Sequence, residues 1–73
     1  MTNSTIAADL GRTIAQRRRE LAVTQEDLAA LAGVSVRFLS SLERGKPTVR
    51  LDTLVAVLDV LGLELHTRVR NAA

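Results

Sequence analysis

Apolar residues recur at helical spacing along most of the chain, three or four residues apart. The pattern predicts four helices, over residues 5–21, 25–32, 36–44 and 50–61. A chain of 73 residues has room for one small core, so we expect a single all-α domain spanning residues 1–73. A domain this small often gains stability from association with a second copy.

The predicted helix ends carry residues that favour them. Thr24 and Ser35 precede the second and third helices, where a hydroxyl side chain caps free backbone N–H groups. Gly33 follows the second helix and Gly62 follows the fourth, and glycine adopts the left-handed backbone of a C-cap without a steric penalty. The segment 45–47, Gly-Lys-Pro, ends the third helix.

Residues 24–44 meet the steric demands of a helix-turn-helix. Two helices that cross steeply need a small residue at their closest approach, here Ala29, and a turn that accepts positive φ, here Gly33. The apolar residues predicted between the two helices are Leu28, Ala32, Val34, Leu39 and Leu42. An ordinary αα-hairpin with a coincidental glycine is the alternative, but the complete set at this spacing favours the DNA-binding motif.

The outward positions of the third helix suit a groove of DNA. They are Val36, Arg37, Ser40, Ser41 and Arg44, which are mostly short or basic side chains. Such side chains allow a helix to approach base edges and phosphates in the major groove.

Positive charge is concentrated around this motif. The whole chain has ten Lys and Arg against eight Asp and Glu, a net charge of +2. Between residues 35 and 50, however, Arg37, Arg44, Lys46 and Arg50 stand against Glu43 alone, and residues 17–19 form a second cluster of three arginines. Localised positive charge suits a polyanion such as DNA, although a solvated helix face would have a similar composition.

After Gly62 the period changes to two. Leu63, Leu65, Thr67 and Val69 alternate with polar or charged residues, which predicts a β-strand over residues 63–70. The rest of the chain is predicted to be helical and offers this strand no partner. We therefore expect it to pair with the same strand of a second copy. The alternative is a frayed tail.

The fourth helix also points to a dimer. One apolar stripe is formed by Leu51, Leu54, Val55, Leu58 and Leu61. Val57 and Val60 fall outside this stripe and are predicted to face a second copy, the alternative being ordinary exposed valines. The predicted dimer interface is Val57, Val60, Leu63, Leu65, Thr67 and Val69.

Other chemistry has little support in the chain. There is no cysteine, and His66 is the only histidine, so we expect no disulfide, no metal site and no cofactor. Asp52 and Asp59 lack any accompanying nucleophile or phosphate-binding loop, and we expect no enzymatic activity. The first residues do not resemble a signal peptide and no apolar stretch of about 20 residues occurs, so a cytoplasmic location without a membrane span is expected.

Residues 10–62 resemble the Cro/repressor-type (Xre) helix-turn-helix family. The resemblance implies a lambda-repressor-like domain of four or five helices whose third helix enters the major groove. It places Val36, Arg37 and Ser41 at base-reading positions and implies that Gln25 and Lys46 bind backbone phosphates. The complete predicted DNA-binding set is Gln25, Ser35, Val36, Arg37, Ser40, Ser41, Arg44 and Lys46.

Two further features follow from the same resemblance. Arg18 and Glu43 correspond to an ion pair that links the first helix to the end of the third and has a structural role. Ala22 stands where many members carry a glycine between the first two helices, which puts the geometry of that turn in question.

The segments Lys46–Leu54 and Leu61–Val69 look like those of the HipB-type antitoxins. That resemblance implies a C-terminal strand paired across a homodimer and a HipA-like serine/threonine kinase toxin as partner. It also implies repression of the protein's own operon and a bacterial, cytoplasmic location on operator DNA.

The expected function is therefore that of a homodimeric, sequence-specific repressor of an inverted repeat, acting as an antitoxin. The alternatives are a stand-alone Xre-type regulator, the antitoxin of a different toxin class, and a module whose helix-turn-helix binds protein. The basic recognition surface argues against the last of these.

Overall fold

Four helices make up the regular structure of residues 3–70, the part of the chain that the computed structural model describes. They are α1 (Asn3–Glu20), α2 (Gln25–Ala32), α3 (Val36–Glu43) and α4 (Leu51–Leu61). The expected all-helical architecture is confirmed, and α2 has the predicted bounds. None of these helices combines the length and the apolar character needed to cross a membrane.

The predicted caps are present at α2, α3 and α4. Thr24 Oγ1 accepts a hydrogen bond of 3.0 Å from the Asp27 N–H, and Ser35 Oγ accepts one of 3.0 Å from the Phe38 N–H. Gly33 at φ 72° ends α2, and Gly62 at φ 70° ends α4. These local interactions determine where the helices begin and end.

The core lies between all four helices. α1 packs on α3 and α4, and α2 packs on the same two helices. Its largest fully buried side chains are Ile14, Leu28, Leu39, Val57 and Leu61. The apolar residues of the helix-turn-helix thus share one core with α1 and α4.

A close approach between α1 and the end of α3 depends on Gly11. A Cβ atom at this position would lie 2.6 Å from the Leu42 carbonyl oxygen and 2.7 Å from that of Glu43. Any larger residue would push the two helices apart. Gly11 therefore sets the position of α1 against the end of α3.

The buried face of α4 differs from the predicted one. Val57 is completely buried in its own chain, whereas Leu51 is 63% exposed and Val55 also lies at the surface. The prediction that Val57 faces a second copy is therefore wrong. The buried stripe is Leu54, Val57, Leu58 and Leu61, at the spacing of three, four and seven that an amphipathic helix uses. α1 and α2 both pack against this helix.

Residues 63–70 form neither a helix nor a strand within the described chain. Leu63 packs against the core, Leu65 is exposed, and Val69 is 94% exposed. A single copy of residues 3–70 supplies no second strand for this segment, so the pairing across a dimer remains a prediction.

Candidate nucleic-acid interface

The unit formed by α2, the turn and α3 is held together by buried apolar contacts. Ala29 is buried, as the close crossing of the helices requires, and Leu28, Leu39 and Leu42 are buried around it. The Val34 N–H donates a hydrogen bond of 3.0 Å to the Ala29 carbonyl, across the left-handed Gly33. This packing fixes the direction in which α3 projects from the domain.

The outward side of α3 has the composition that was predicted for it. Val36, Arg37 and Arg44 are exposed, and Ser40 and Ser41 are partly buried. Within residues 3–70, neither arginine side chain makes a hydrogen bond or an ion pair. Both guanidinium groups are therefore available to a ligand.

Lys46 lies beside the outward side of α3 because the chain reverses direction after the helix ends. Its N–H donates a hydrogen bond of 3.1 Å to the Ser41 carbonyl, and the Gly45 N–H donates one of 3.0 Å to the Leu42 carbonyl. Gly45 has φ 90°, and a Cβ there would be 3.0 Å from Ala8 Cα. The side chain of Lys46 has no partner among the described residues.

A depression of about 230 Å³ lies between α3 and the loop that follows it. Its lining combines polar or basic residues with apolar ones: Ser35, Arg37, Phe38, Ser41, Leu42, Lys46, Thr48 and Val49. The structure thus brings together Ser35, Arg37, Ser41 and Lys46, all of which belong to the predicted DNA-binding set.

Arg50 differs from the other basic residues of the motif. Its guanidinium donates to both carboxylate oxygens of Asp52, at 3.2 and 2.7 Å. This hydrogen bonding by Arg50, supported by the Thr53 N–H, lowers the pKa of the Asp52 carboxyl. The unpaired positive charge of this region therefore comes from Arg37, Arg44 and Lys46.

A polar network links α1, α2 and α3 beneath the basic residues. Arg18 donates to Glu43 through Nε at 2.7 Å and Nη2 at 3.1 Å, and through Nη1 to the Val23 carbonyl at 3.0 Å. The side chains of Arg18 and Glu43 are only 13% and 6% exposed. The ion pair that the family resemblance implied is thus present, and it is nearly buried.

Gln25 is the third member of this network. Its Nε2 donates a hydrogen bond of 2.9 Å to Glu43 Oε1. Burial alone would raise the pKa of the Glu43 carboxyl, but the hydrogen bonds from Arg18 and Gln25 outweigh this and lower it. The bond to Glu43 was not foreseen, because the two residues are eighteen positions apart in the sequence.

The three arginines at residues 17–19 make different contacts. Arg17 Nε donates a hydrogen bond of 2.9 Å to the Leu61 carbonyl at the end of α4, where a cation also interacts favourably with the helix dipole. Arg18 belongs to the buried network, and Arg19 is exposed. This cluster therefore mainly holds α1 against its neighbours.

The turn between α1 and α2 contains a strained residue. Ala22 has φ 57°, in the left-handed region that glycine occupies most easily. It is the only non-glycine residue in residues 3–70 with positive φ. The turn therefore has a left-handed backbone with alanine at the position where the family resemblance suggests glycine.

A second surface lies between α4 and the C-terminal residues. It is an open groove of about 420 Å³, lined by Leu51, Val55, Leu58, Asp59, Leu63, Glu64, Leu65 and His66. Of the predicted interface, Leu63 and Leu65 line this groove, while Val60, Thr67 and Val69 are exposed outside it. Within residues 3–70 no cluster of three or more potential metal ligands occurs, and His66 contacts Glu64 at 2.7 Å on the surface.

Comparison with known proteins places the sequence of this chain in a family. Residues 14–67 match the helix-turn-helix family described by the HTH_3 profile. The uncharacterized HTH-type transcriptional regulator y4mF of Sinorhizobium fredii is 40% identical over 58 residues, which cover 80% of this chain and 76% of that protein. The uncharacterized regulator y4dJ of the same organism is 41% identical over 54 residues, covering 74% and 70%.

A third relative is longer. The HTH-type transcriptional regulator DdrOP3 of Deinococcus deserti is 37% identical over 49 residues, which cover 67% of this chain but only 38% of the relative. All three similarities therefore involve most of the chain described above.

Proposed function

The chain belongs to the Cro/repressor-type (Xre) helix-turn-helix family of DNA-binding transcription regulators, and we propose that it acts as a sequence-specific, homodimeric repressor. One observation is the main support for assigning DNA binding to the surface of α3. Arg37, Arg44 and Lys46 lie on and directly after α3, and no other described side chain pairs with them. A helix with free cations and short side chains fits the major groove.

The proposal divides the interface into two kinds of contact. Val36, Arg37 and Ser41 read base edges, because they lie along the outward side of α3. Ser35, Ser40, Arg44, Lys46 and Gln25 bind or approach the phosphate backbone and set the orientation of α3. The family resemblance implies the roles of Val36, Arg37, Ser41, Gln25 and Lys46, and the proposal adds phosphate contacts for Ser35, Ser40 and Arg44. The depression beside α3 brings Ser35, Arg37, Ser41 and Lys46 together, which supports one shared surface.

The first test measures binding to the DNA upstream of the protein's own reading frame by fluorescence anisotropy. Affinity should fall by roughly 10³–10⁵ between about 50 and 200 mM salt if about 6–10 phosphates are contacted. If Arg37 reads a guanine, Arg37→Ala should weaken the free energy of binding to that DNA by about 1–3 kcal/mol and should weaken binding to random DNA by less.

Arg12→Ala is the matched control, because Arg12 is an exposed arginine of α1 that already pairs with Asp9. It should leave specific affinity nearly unchanged. A flat salt response would refute docking in the groove, and an equal loss for Arg37→Ala on both DNAs would make Arg37 a phosphate contact.

We also propose that the C-terminal residues form the dimer. Leu51, Val55 and Leu65 expose apolar surface around the groove beside α4. A dimer would cover this surface with the same segment of the partner, including the exposed Val60 and Val69. Strand pairing of residues 63–70 across the two-fold axis would place Leu63, Leu65, Thr67 and Val69 on one face.

Charge supports the same arrangement. Asp59 and Glu64 give the groove an acidic rim, whereas Arg68 and Arg70 flank Val69 at the end of the described chain. A partner's C-terminal residues therefore match the groove in both apolar and charged character.

Sedimentation velocity of Leu65→Asp tests this interface. The variant should be a monomer at concentrations where the unaltered protein is a dimer. Leu31→Asp is the control, because Leu31 is 67% exposed on α2, away from the groove. An intact dimer for Leu65→Asp would refute the proposed interface.

The partner proposed for this dimer is a HipA-like serine/threonine kinase toxin, with the chain as antitoxin and repressor of the shared operon. The support is the resemblance of residues 46–54 and 61–69 to HipB-type antitoxins. Co-expression with the adjacent reading frame should yield a stoichiometric complex and relieve that product's toxicity. If neither is observed, the chain is a stand-alone regulator.

A further inference from the structure

The bond between Gln25 and Glu43 connects two parts of the DNA-binding surface. Gln25 is the first residue of α2, and Glu43 is the last residue of α3. Arg44 and Lys46, which have no partner among residues 3–70, follow Glu43 within three positions. The 2.9 Å hydrogen bond therefore places the Gln25 amide beside the end of α3, where the free cations favour a phosphate.

The chemistry of Glu43 determines which way the amide is oriented. An ionised carboxylate only accepts hydrogen bonds, so the amide nitrogen of Gln25, and not its carbonyl oxygen, has to face it. Nε2 carries two hydrogens, and Glu43 takes one of them. The second is left for another acceptor, and a phosphate oxygen is also an acceptor only.

Arg18 makes this arrangement compatible with DNA. A bare carboxylate close to a phosphate would repel it, but Arg18 donates to both oxygens of Glu43. The pair is nearly buried, with side chains 13% and 6% exposed, so solvent weakens it little. Glu43 can then hold Gln25 without adding an uncompensated negative charge to the interface.

We propose that Glu43 is a positioning residue for DNA binding, which orients the Gln25 amide so that its second N–H donates to a backbone phosphate. The proposal rests on the function proposed above and assigns a role in it to a residue that does not itself touch DNA. It also makes Glu43 more than a structural partner of Arg18.

A double-mutant cycle on DNA affinity tests the proposal. The probe is a random-sequence duplex of about 20 base pairs at low salt, because phosphate contacts do not depend on sequence. Gln25→Met keeps the length of the side chain and removes the amide, and it should weaken binding by roughly tenfold. Glu43→Gln should weaken binding several-fold in the unaltered chain but should not weaken it further in the Gln25→Met background.

The direction of the change in DNA affinity distinguishes a positioning role of Glu43 from a simple charge effect. Glu43→Gln removes a negative charge, so a pure charge effect would strengthen binding to DNA. Glu20→Gln is the matched control, since Glu20 is an exposed carboxylate of α1, and it should strengthen binding slightly or not at all. Equal loss from Glu43→Gln in both backgrounds, or a gain like that of Glu20→Gln, would overturn the positioning role.

A measurement on the unaltered protein avoids any loss of folding in the variants. In NMR spectra, one Gln25 side-chain amide proton should exchange slowly because Glu43 accepts it. Addition of the duplex should shift mainly the other amide proton. Release of the first proton from Glu43 on binding would refute the proposal while leaving the function intact, whereas no binding by the unaltered protein would refute both.

Discussion

The helix-turn-helix segment (residues 24–46) and the C-terminal segment (residues 51–70) differ in how completely one chain covers them. In the first, Leu28, Leu39 and Leu42 are buried, and the polar network holds the end of α3. In the second, several apolar side chains are exposed: Leu51, Val55, Val60, Leu65 and Val69. Of the large apolar side chains in the first segment, only Leu31 and Val36 are exposed, whereas those of the second are more numerous and three of them surround one groove. A single chain therefore covers the first segment more completely than the second.

This difference corresponds to two requirements of the proposed dimeric repressor. Each copy needs a rigid α3 whose exposed residues are reproducibly placed, and its own core supplies that. In the proposed dimer, the distance between two such helices would depend on the second segment, whose exposed apolar side chains no contact within residues 3–70 covers. Changes in the two segments should therefore have different effects on stability and on its concentration dependence.

Two leucine-to-alanine substitutions test the comparison most directly. Leu39→Ala, at a completely buried position, should lower the free energy of unfolding by about 2–5 kcal/mol at every protein concentration. Leu51 is 63% exposed, so Leu51→Ala should lower the free energy of unfolding of the monomer by less than about 0.5 kcal/mol. The loss should be larger at protein concentrations at which the proposed dimer forms. Urea unfolding at a low and a high protein concentration measures both. A large loss for Leu51→Ala in the monomer would contradict the comparison.

Gly11→Ala should have the next largest effect. The added Cβ would meet the backbone carbonyls of Leu42 and Glu43 at 2.6 and 2.7 Å, and backbone cannot move aside as a flexible side chain can. We expect a loss of about 2–3 kcal/mol in the free energy of unfolding. The same substitution at Gly62, where the nearest atom is a side-chain nitrogen of Arg17 at 3.8 Å, should cost only the strain of the left-handed backbone.

Acid should affect the two segments through different carboxylates. Hydrogen bonding to Arg18 and Gln25, opposed by burial, lowers the pKa of Glu43, and hydrogen bonding to Arg50 lowers that of Asp52. A carboxyl whose pKa is lower in the folded than in the unfolded state stabilises the fold at pH values above its unfolded-state pKa, which is about 4.3 for Glu. This stabilisation is lost as the pH falls toward the folded-state pKa.

The two carboxylates should contribute unequally to this acid loss. Solvent screens the exposed Arg50–Asp52 pair, whereas the Arg18–Glu43 pair is nearly buried. Glu43→Gln should therefore flatten the loss of stability below about pH 4 more than Asp52→Asn does, in thermal melts across that range. Equal flattening would show that burial of Glu43 does not strengthen the pair.

Local features of the chain were predictable from sequence, and features that join distant residues were not. Thr24 and Ser35 act on a backbone N–H three residues away, so their roles as caps followed from the pattern. The Arg18–Glu43 pair was anticipated only through the family resemblance. The bond from Gln25 to Glu43 and the close approach at Gly11 depend on how α1, α2 and α3 cross.

The error at α4 has the same origin. Two apolar stripes run along this helix, and both contain Leu54, Leu58 and Leu61. The sequence pattern does not say whether Val55 or Val57 completes the buried one, because the answer depends on where α1 and α2 pack. Val57 is buried and Val55 is exposed, so the open surface of the C-terminal segment is centred on Leu51 and Val55.

The smallest expected effect concerns Ala22, in the turn that leads into the helix-turn-helix segment. Ala22 has φ 57°, where an alanine Cβ crowds the following carbonyl and a glycine does not. Ala22→Gly should raise the free energy of unfolding by about 1 kcal/mol, a rise of about 4–8 °C in Tm for a domain of this size. Ala30→Gly, at an exposed position inside α2, should instead lower it by about 1 kcal/mol. If both substitutions lowered the free energy of unfolding, the left-handed backbone at Ala22 would carry no strain that glycine can relieve.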